Sequence, residues 1–380
     1  MFPEFVCQPA IITWMMIDLI KIEGFKSIKL MEMKLQSINL LIGSNGSGKS
    51  NFISFFKLIN AIFNKRLQRY ITEEKPDNLL YFGRKHTEAI KGKILLKRSE
   101  FFNIAYNFSL AQTREGGLYL GYEASGDNVS YEDDDESYVY AENIEGSKFA
   151  SEDAHLVLQE FISTLQVFHF HDTSATSLLR RECDVNDNLY LKQDGRNLPA
   201  FLYLLKVKHP KVYNRIIKTI QAIAPYITDF ILEPNRLNEK EIELRWIDNG
   251  DPESNFSAYQ LSDGTLRFIA LATLLMQPEP PEVIIIDEPE LGLHPFAIAK
   301  LAGMIQAASG KSQIIAATQS PGLISHFSPQ DVIVIDRSEE QRQTVFNRLN
   351  AEYLNIWLQE YSLGDLWERN IINAAQPFKK

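Results

Sequence analysis

Hydrophobic and polar positions alternate through "MIDLIKIEGFKSIKLMEMKLQSINLLIG", and the stretch ends in a continuously apolar run. Period two closing on an all-apolar segment predicts two or three strands, the last of them buried. Beyond "GSNGSGKS" the period changes, with Phe52, Phe55, Phe56, Ile59 and Ile62 recurring at helical spacing. Alternation returns over residues 88–145 in "AIKGKILLKR", "FFNIAYNFSLA", "GLYLGYEA" and "SYVYAE", so antiparallel hairpins are expected there. From about 151 the pattern is mostly helical, through "AHLVLQEFISTLQ" and "LPAFLYLLKVKHPKVYNRIIKTIQAIAPYI", before strand-like "DFILEPN" and "EIELRWID". "YQLSDGTLRFIALATLLM" reads as a helix with a polar, glycine-containing entry. The strand "EVIIIDEPE", the helix "FAIAKLAGMIQAAS" and the strands "SQIIAATQS" and "DVIVID" follow. Such alternation implies right-handed crossovers in a parallel sheet, and hence an α/β fold.

The expected organisation runs in five parts. Residues 1–14 form a loose extension, with Met15 or Met16 as an alternative start to Met1. Residues 15–150 form a lobe holding the glycine loop and the hairpins, and residues 151–260 a mainly helical lobe. Residues 261–350 complete the parallel sheet, and 351–380 form a helical tail. There is no internal repeat and no heptad run long enough for an extended coiled coil.

Composition narrows the class. The 380 residues are 45% hydrophobic and 23% charged, ordinary for a globular protein. A net charge of -10 argues against a chain that coats nucleic acid over its whole surface, though a local basic groove stays open. No stretch approaches the roughly 20 apolar residues of a membrane span. Cys7 and Cys183 form no metal or disulfide pattern, which suits a reducing cytoplasm.

Three motifs carry chemistry. In "GSNGSGKS", Gly43 and Gly46 let the backbone turn and Gly48 allows close approach to phosphate. Backbone N–H groups of Ser44, Asn45, Ser47 and Asn51 and the helix N-terminus would hold phosphates, with Lys49 on the β- and γ-phosphates and Ser50 on Mg²⁺. A chance glycine turn is the bland alternative, and the strand before and helix after argue against it. In "VIIIDEPE", Asp287 ends a buried strand, where it would hold Mg²⁺, and Glu288 is placed to deprotonate an attacking water. "LSDGT", residues 261–265, puts a serine and a glycine at a helix N-terminus, which makes a second phosphate site, or alone a simple N-cap. One nucleotide does not need two such sites from one subunit, so two subunits meeting head to tail is the economical explanation.

In that order the motifs resemble those of the ABC-type ATPases of the SMC, RecF and OLD group. "GSNGSGKS" is similar to Walker A, "LSDGT" to the signature, "VIIIDEPE" to Walker B, "LGLHP" to the D-loop region and "TQSP" to the switch. "IEGFKSI" resembles the opening strand and turn of RecF-like heads, which places Lys26 and Ser27 near the adenine. The likeness spans nearly the whole chain, is weakest over 88–250, and is greatest to stand-alone ATPases that accompany effectors in bacterial anti-phage systems. It implies an ABC-type head, with a β-rich ATP-binding lobe and an inserted helical lobe. It further implies that ATP and Mg²⁺ are bound, that Ser262 and Gly264 contact a partner's γ-phosphate, that His294 lies near the dimer interface, and that Gln319 is the γ-phosphate switch. Gln166 is the candidate for the junction glutamine that reaches the metal.

Two departures stand out: Asp263 replaces a glycine, which either puts a carboxylate near an anionic ligand or favours the helix dipole, and Gln319 replaces a histidine, so it can orient water but cannot shuttle a proton at neutral pH. The expected protein is a cytoplasmic ATPase that forms a homodimer or higher oligomer and controls a separate nuclease (TOPRIM-like) or toxin. A RecF-like DNA-binding clamp is the alternative. A transporter subunit, a long-coil repair protein and a fused nuclease fit less well.

Weaker features have bland readings beside them. His169 and His171 of "FHFHD", with Asp172, suit either a metal site or ordinary packing. "EDDDE" suits a solvated loop. Lys206, Lys208, Lys211, Arg215 and Lys218 suit a solvated helix face or a DNA contact.

Overall fold

The computed structural model describes residues 14–99, 102–127, 148–149 and 152–372. The N-terminal extension with Cys7, the strand expected at "SYVYAE", the "YEDDDES" charge run and the last eight residues lie outside the described residues. The chain forms two compact units, one of Met1–Gln36 with Phe63–Ser163, the other of Ser37–Ile62 with Thr164–Lys380.

The first unit is built on an antiparallel sheet. Met16–Phe25 pairs with Ile28–Lys34 on one side and with Ala89–Ser99 on the other, and Phe102–Gln112 and Leu118–Asp127 extend it. Period two sorts the side chains: Ile20 and Ile22 are wholly buried, while Lys21 and Glu23 pair across strands with Glu32 at 3.3 Å and Lys91 at 3.6 Å. Lys26 and Ser27 make the tight turn between Phe25 and Ile28, Lys26 with φ of 48°.

The second unit holds a six-stranded sheet in the order Gln343–Arg348, Val332–Ser338, Ile38–Ile42, Gln313–Thr318, Val283–Asp287, Gln166–Phe168. All neighbours run parallel except the edge strand Gln343–Arg348. Ile38–Ile42 is buried at every position, as a central parallel strand requires. Helices Lys49–Phe63, Asp263–Met276 and Pro295–Ala308 follow the loops that carry the motifs. Leu198–Lys208 and Pro210–Gln221 share one hydrophobic core with Asp263–Met276.

Two features depart from the sequence pattern. The glycine loop groups with the C-terminal half rather than with the hairpins, because its strand finds its partners near residues 316 and 333. Periodicity cannot see so remote a pairing. Moreover, "DPESNFS" forms the strand Asp251–Ser257, although it is polar and contains proline. It is an edge strand of a three-stranded sheet with Arg245–Asp248 and Ile227–Ile231, and Trp246 stacks on Phe256 at 4.9 Å between ring centroids. Among the described residues the longest helix has 15 residues, and no helix is long and apolar enough to cross a membrane.

Candidate functional site

The loop Gly43–Gly48 leaves the end of Ile38–Ile42 and enters Lys49–Phe63, so it lies at the C-terminal edge of a parallel sheet, where such folds bind ligands. Ser44, Asn45 and Gly46 are exposed, whereas Ser47, Gly48 and Lys49 are buried. Gly46 and Gly48 carry φ of 79° and 115°; Gly43, expected to do the same, does not. A Cβ on Gly48 would meet Thr344 Oγ1 at 2.4 Å, so a side chain of this chain, rather than only phosphate, demands glycine there. Thr344 Oγ1 also donates to Ser47 O at 3.0 Å. The antiparallel edge strand thus braces the loop.

Lys49 Nζ donates to Gly43 O at 2.5 Å and Ser44 O at 3.0 Å. Burial lowers the Lys49 pKa against the opposing pull of Glu288, Asp287 and Glu290, so the cation faces three carboxylates. Asp287 ends Val283–Asp287, which is separated from Ile38–Ile42 by the strand Gln313–Thr318, and burial raises its pKa. Glu288 takes a left-handed φ of 42° and donates its N–H to Ala317 O at 2.8 Å. Gln319 Nε2 donates to Glu288 Oε1 at 2.9 Å. The Gln319 amide and the Glu288 carboxylate therefore touch.

Sequence reasoning missed Glu290. Its Oε1 accepts from Thr318 Oγ1 at 2.5 Å and Gln319 N at 3.2 Å, its Oε2 is buried with no hydrogen-bond partner, and burial raises its pKa. Its position, two beyond a catalytic candidate, was the only available signal. Gln166 does not reach Asp287. The ladder sets it opposite Ile284, about 10 Å below the strand's mouth at roughly 3.3 Å per residue. His171 stands there instead, with Nε2 2.7 Å from Asp287 O. His169 Nδ1 lies 3.1 Å from Val167 O, and among the described residues no group of three or more His, Cys, Asp or Glu side chains could hold a metal ion.

The turn at residues 261–265 is held from within. Ser262 Oγ caps helix Asp263–Met276 by accepting from Thr265 N at 3.1 Å. A Cβ on Gly264 would meet Gly292 O at 2.5 Å, so this glycine also serves close packing against the turn that carries Leu291 and Gly292. Asp263 accepts from Arg180 Nη2 at 2.7 Å, which neutralises the carboxylate that the sequence placed beside an anionic ligand. Arg180 donates in addition to Thr173 O at 2.8 Å, Leu261 O at 3.2 Å and Ala258 O. His294 caps the helix Pro295–Ala308, with Nδ1 accepting from Phe296 N at 3.3 Å. In the first unit, Lys26 Nζ pairs with Glu74 at 3.1 Å, and Ser27 follows it in the turn. Lys206 of the basic run is bound to Asp229 at 2.8 Å, which removes one charge from any nucleic-acid contact.

The chain is a mixed α/β P-loop ATPase with the fold of SMC head domains. It is similar to the SMC head bound to the C-winged helix domain of ScpA, at TM-score 0.60 and 14% identity, over 90% of this chain and 99% of that one. It is similar also to the SMC head domain from Thermotoga maritima, at TM-score 0.50 and 12% identity over 88% and 99%. The Smc head with an extended coiled coil, bound to the C-terminal domain of ScpA derived from Pyrococcus furiosus, gives TM-score 0.56 and 14% identity over 91% and 99%. No curated protein matches. Residues 38–325 match the family described as "AAA domain, putative AbiEii toxin, Type IV TA system", and the chain belongs to that family. Membership implies ATP binding and points to hydrolysis.

Proposed function

We propose that this protein is an ATP-hydrolysing switch that pairs head to tail with a second copy around ATP and Mg²⁺, and controls a separate effector. That effector is a nuclease or toxin, and the setting is anti-phage defence. The observation that carries the reading is the contact of Gln319 with Glu288, at the sheet edge where Lys49 faces Asp287, Glu288 and Glu290. The toxin linkage of the family supports the effector half.

The residues fit the ligand. Lys49 is held by Gly43 O and Ser44 O, and the buried Ser47 Oγ has no hydrogen-bond partner in a loop whose exposed tip admits phosphate. Mg²⁺, when bound at Ser50 and Asp287, supplies positive charge against the phosphates. Glu288 accepts a proton from the attacking water, and Gln319 fixes the carboxylate that does so. An amide cannot relay that proton, so turnover is slow, as suits a switch. Ser262 and the following helix N-terminus face a second copy's γ-phosphate, with Asp263 already neutralised by Arg180.

The test is the full chain carrying Glu288→Gln, purified with ATP from its native host. A stoichiometric small protein retained with it supports effector control. Tight ATP-dependent duplex binding by the ATPase alone, with no retained protein, supports a DNA clamp and refutes the effector reading.

A further inference from the structure

Arg267 lies one turn into the signature helix and is 5% exposed. The site described above gives it no task. Its guanidinium donates in three directions, all to main-chain carbonyls: Nε to Phe170 O at 2.9 Å, Nη2 to His171 O at 2.9 Å, and Nη1 to Leu291 O. Phe170 and His171 follow the edge strand, and the His171 ring nitrogen is the one beside Asp287 O. Leu291 sits in the turn between Glu288 and His294.

A buried guanidinium without a carboxylate bound to it is costly, and only a full set of acceptors offsets that cost. Asp263, the carboxylate that pulls on Arg267, spends its hydrogen bond on Arg180. The surroundings are also tight. A Cβ on Gly292 would meet Arg267 Nη1 at 2.8 Å, and one on Gly264 would meet Gly292 O at 2.5 Å. Signature helix, D-loop turn and the His171–Asp287 contact therefore cannot move independently while the guanidinium holds all three.

We propose that Arg267 is the positioning residue that couples the two half-sites carried by one chain. It ties the signature turn, which serves a second copy's nucleotide, to the Asp287–Glu288 turn, which serves the chain's own. The proposal rests on the head-to-tail reading given above. A shift of the Glu288 turn on nucleotide binding is passed to Ser262 as rigid-body movement, so the two sites of the dimer fill cooperatively.

The experiment compares wild type, Arg267→Lys and Arg267→Met as full chains. A lysine keeps the charge and loses the fork. Binding of a fluorescent ADP analogue to the isolated monomer reports the Lys49 loop and serves as the folding control. The Hill coefficient of ATP hydrolysis and the ATP-dependent dimer dissociation constant report the coupling. The expected result is ADP affinity within about twofold of wild type, a Hill coefficient reduced to one, and dimerisation weakened about tenfold.

Hydrogen exchange provides a second reading. In wild type, ATP protects residues 262–265 and 291–293 together, and in Arg267→Lys it no longer does so. Wild-type cooperativity in Arg267→Lys overturns the proposal, as does loss of ADP binding in parallel with dimerisation, which marks a general structural prop. Failure of wild type to dimerise with ATP shows instead that the head-to-tail reading is wrong, and it does so before any variant is compared.

Discussion

Truncating Arg180 and neutralising Asp263 remove the same ion pair, yet the structure predicts very different costs. Arg180 is 6% exposed at its side chain, while Asp263 is 67% exposed. Arg180→Met deletes donors to Thr173 O, Leu261 O, Ala258 O and Asp263; Ala258 O keeps the Leu261 N–H at 3.2 Å, while Thr173 O and Leu261 O lose the guanidinium. A buried carbonyl left without its donor costs about 1–3 kcal/mol, so two of them cost a few kcal/mol. Asp263→Asn retains an acceptor oxygen and loses a charge already screened by water, at a cost of at most about 1 kcal/mol. Denaturant unfolding without nucleotide, followed by tryptophan fluorescence, measures both variants and the double mutant. The expected coupling energy between the two positions is no more than about 1 kcal/mol, because most of what Arg180 does is done to carbonyls. Equal losses in the two single variants, or a loss below about 1 kcal/mol in Arg180→Met, would refute this reasoning.

Other predictions follow from single contacts. Gln319→Ala should lower kcat by about tenfold or more with little change in ATP affinity, since the side chain touches Glu288 and not the loop; steady-state kinetics checks this. Thr344→Val loses the bond to Ser47 O, worth about 1 kcal/mol, and should weaken nucleotide binding roughly fivefold by titration calorimetry. Glu290 has its pKa raised by burial above the ordinary 4.5, so the folded state holds the proton more tightly than the unfolded one. Stability contributed by this group therefore rises as pH falls from above the folded value toward 4.5. Thermal melts should show wild type gaining on Glu290→Gln across that window, and parallel curves would count against it.

Local chemistry was legible in the sequence, and remote chemistry was not. The glycine loop, the acidic strand end and the Ser262 cap each lie within one short stretch, so spacing alone placed them at the ends of their elements. The parallel sheet was legible too, because buried strands alternate with amphipathic helices over residues 283–338. Thr344, Arg180 and Arg267 carry no motif, and "FHFHD" offers His171 only as one of a histidine pair. They matter because the strand order brings residues 47 and 344, or 171 and 287, together across long stretches of chain. Gln166 failed as a metal-site candidate for the same reason, since its position depends on ladder register rather than on residue type. Asp263 looked like a charge conflict only while Arg180 was out of view.

The central claim is that the nucleotide site is completed by a second copy. Light scattering of Glu288→Gln, which removes the proposed base while keeping the side chain's shape, tests it most directly. With Mg-ATP the mass should double, with ADP it should return to that of one chain, and adding Ser262→Arg should abolish the change while ATP still binds. A Glu288→Gln protein that binds Mg-ATP tightly and stays at the mass of one chain would contradict the account.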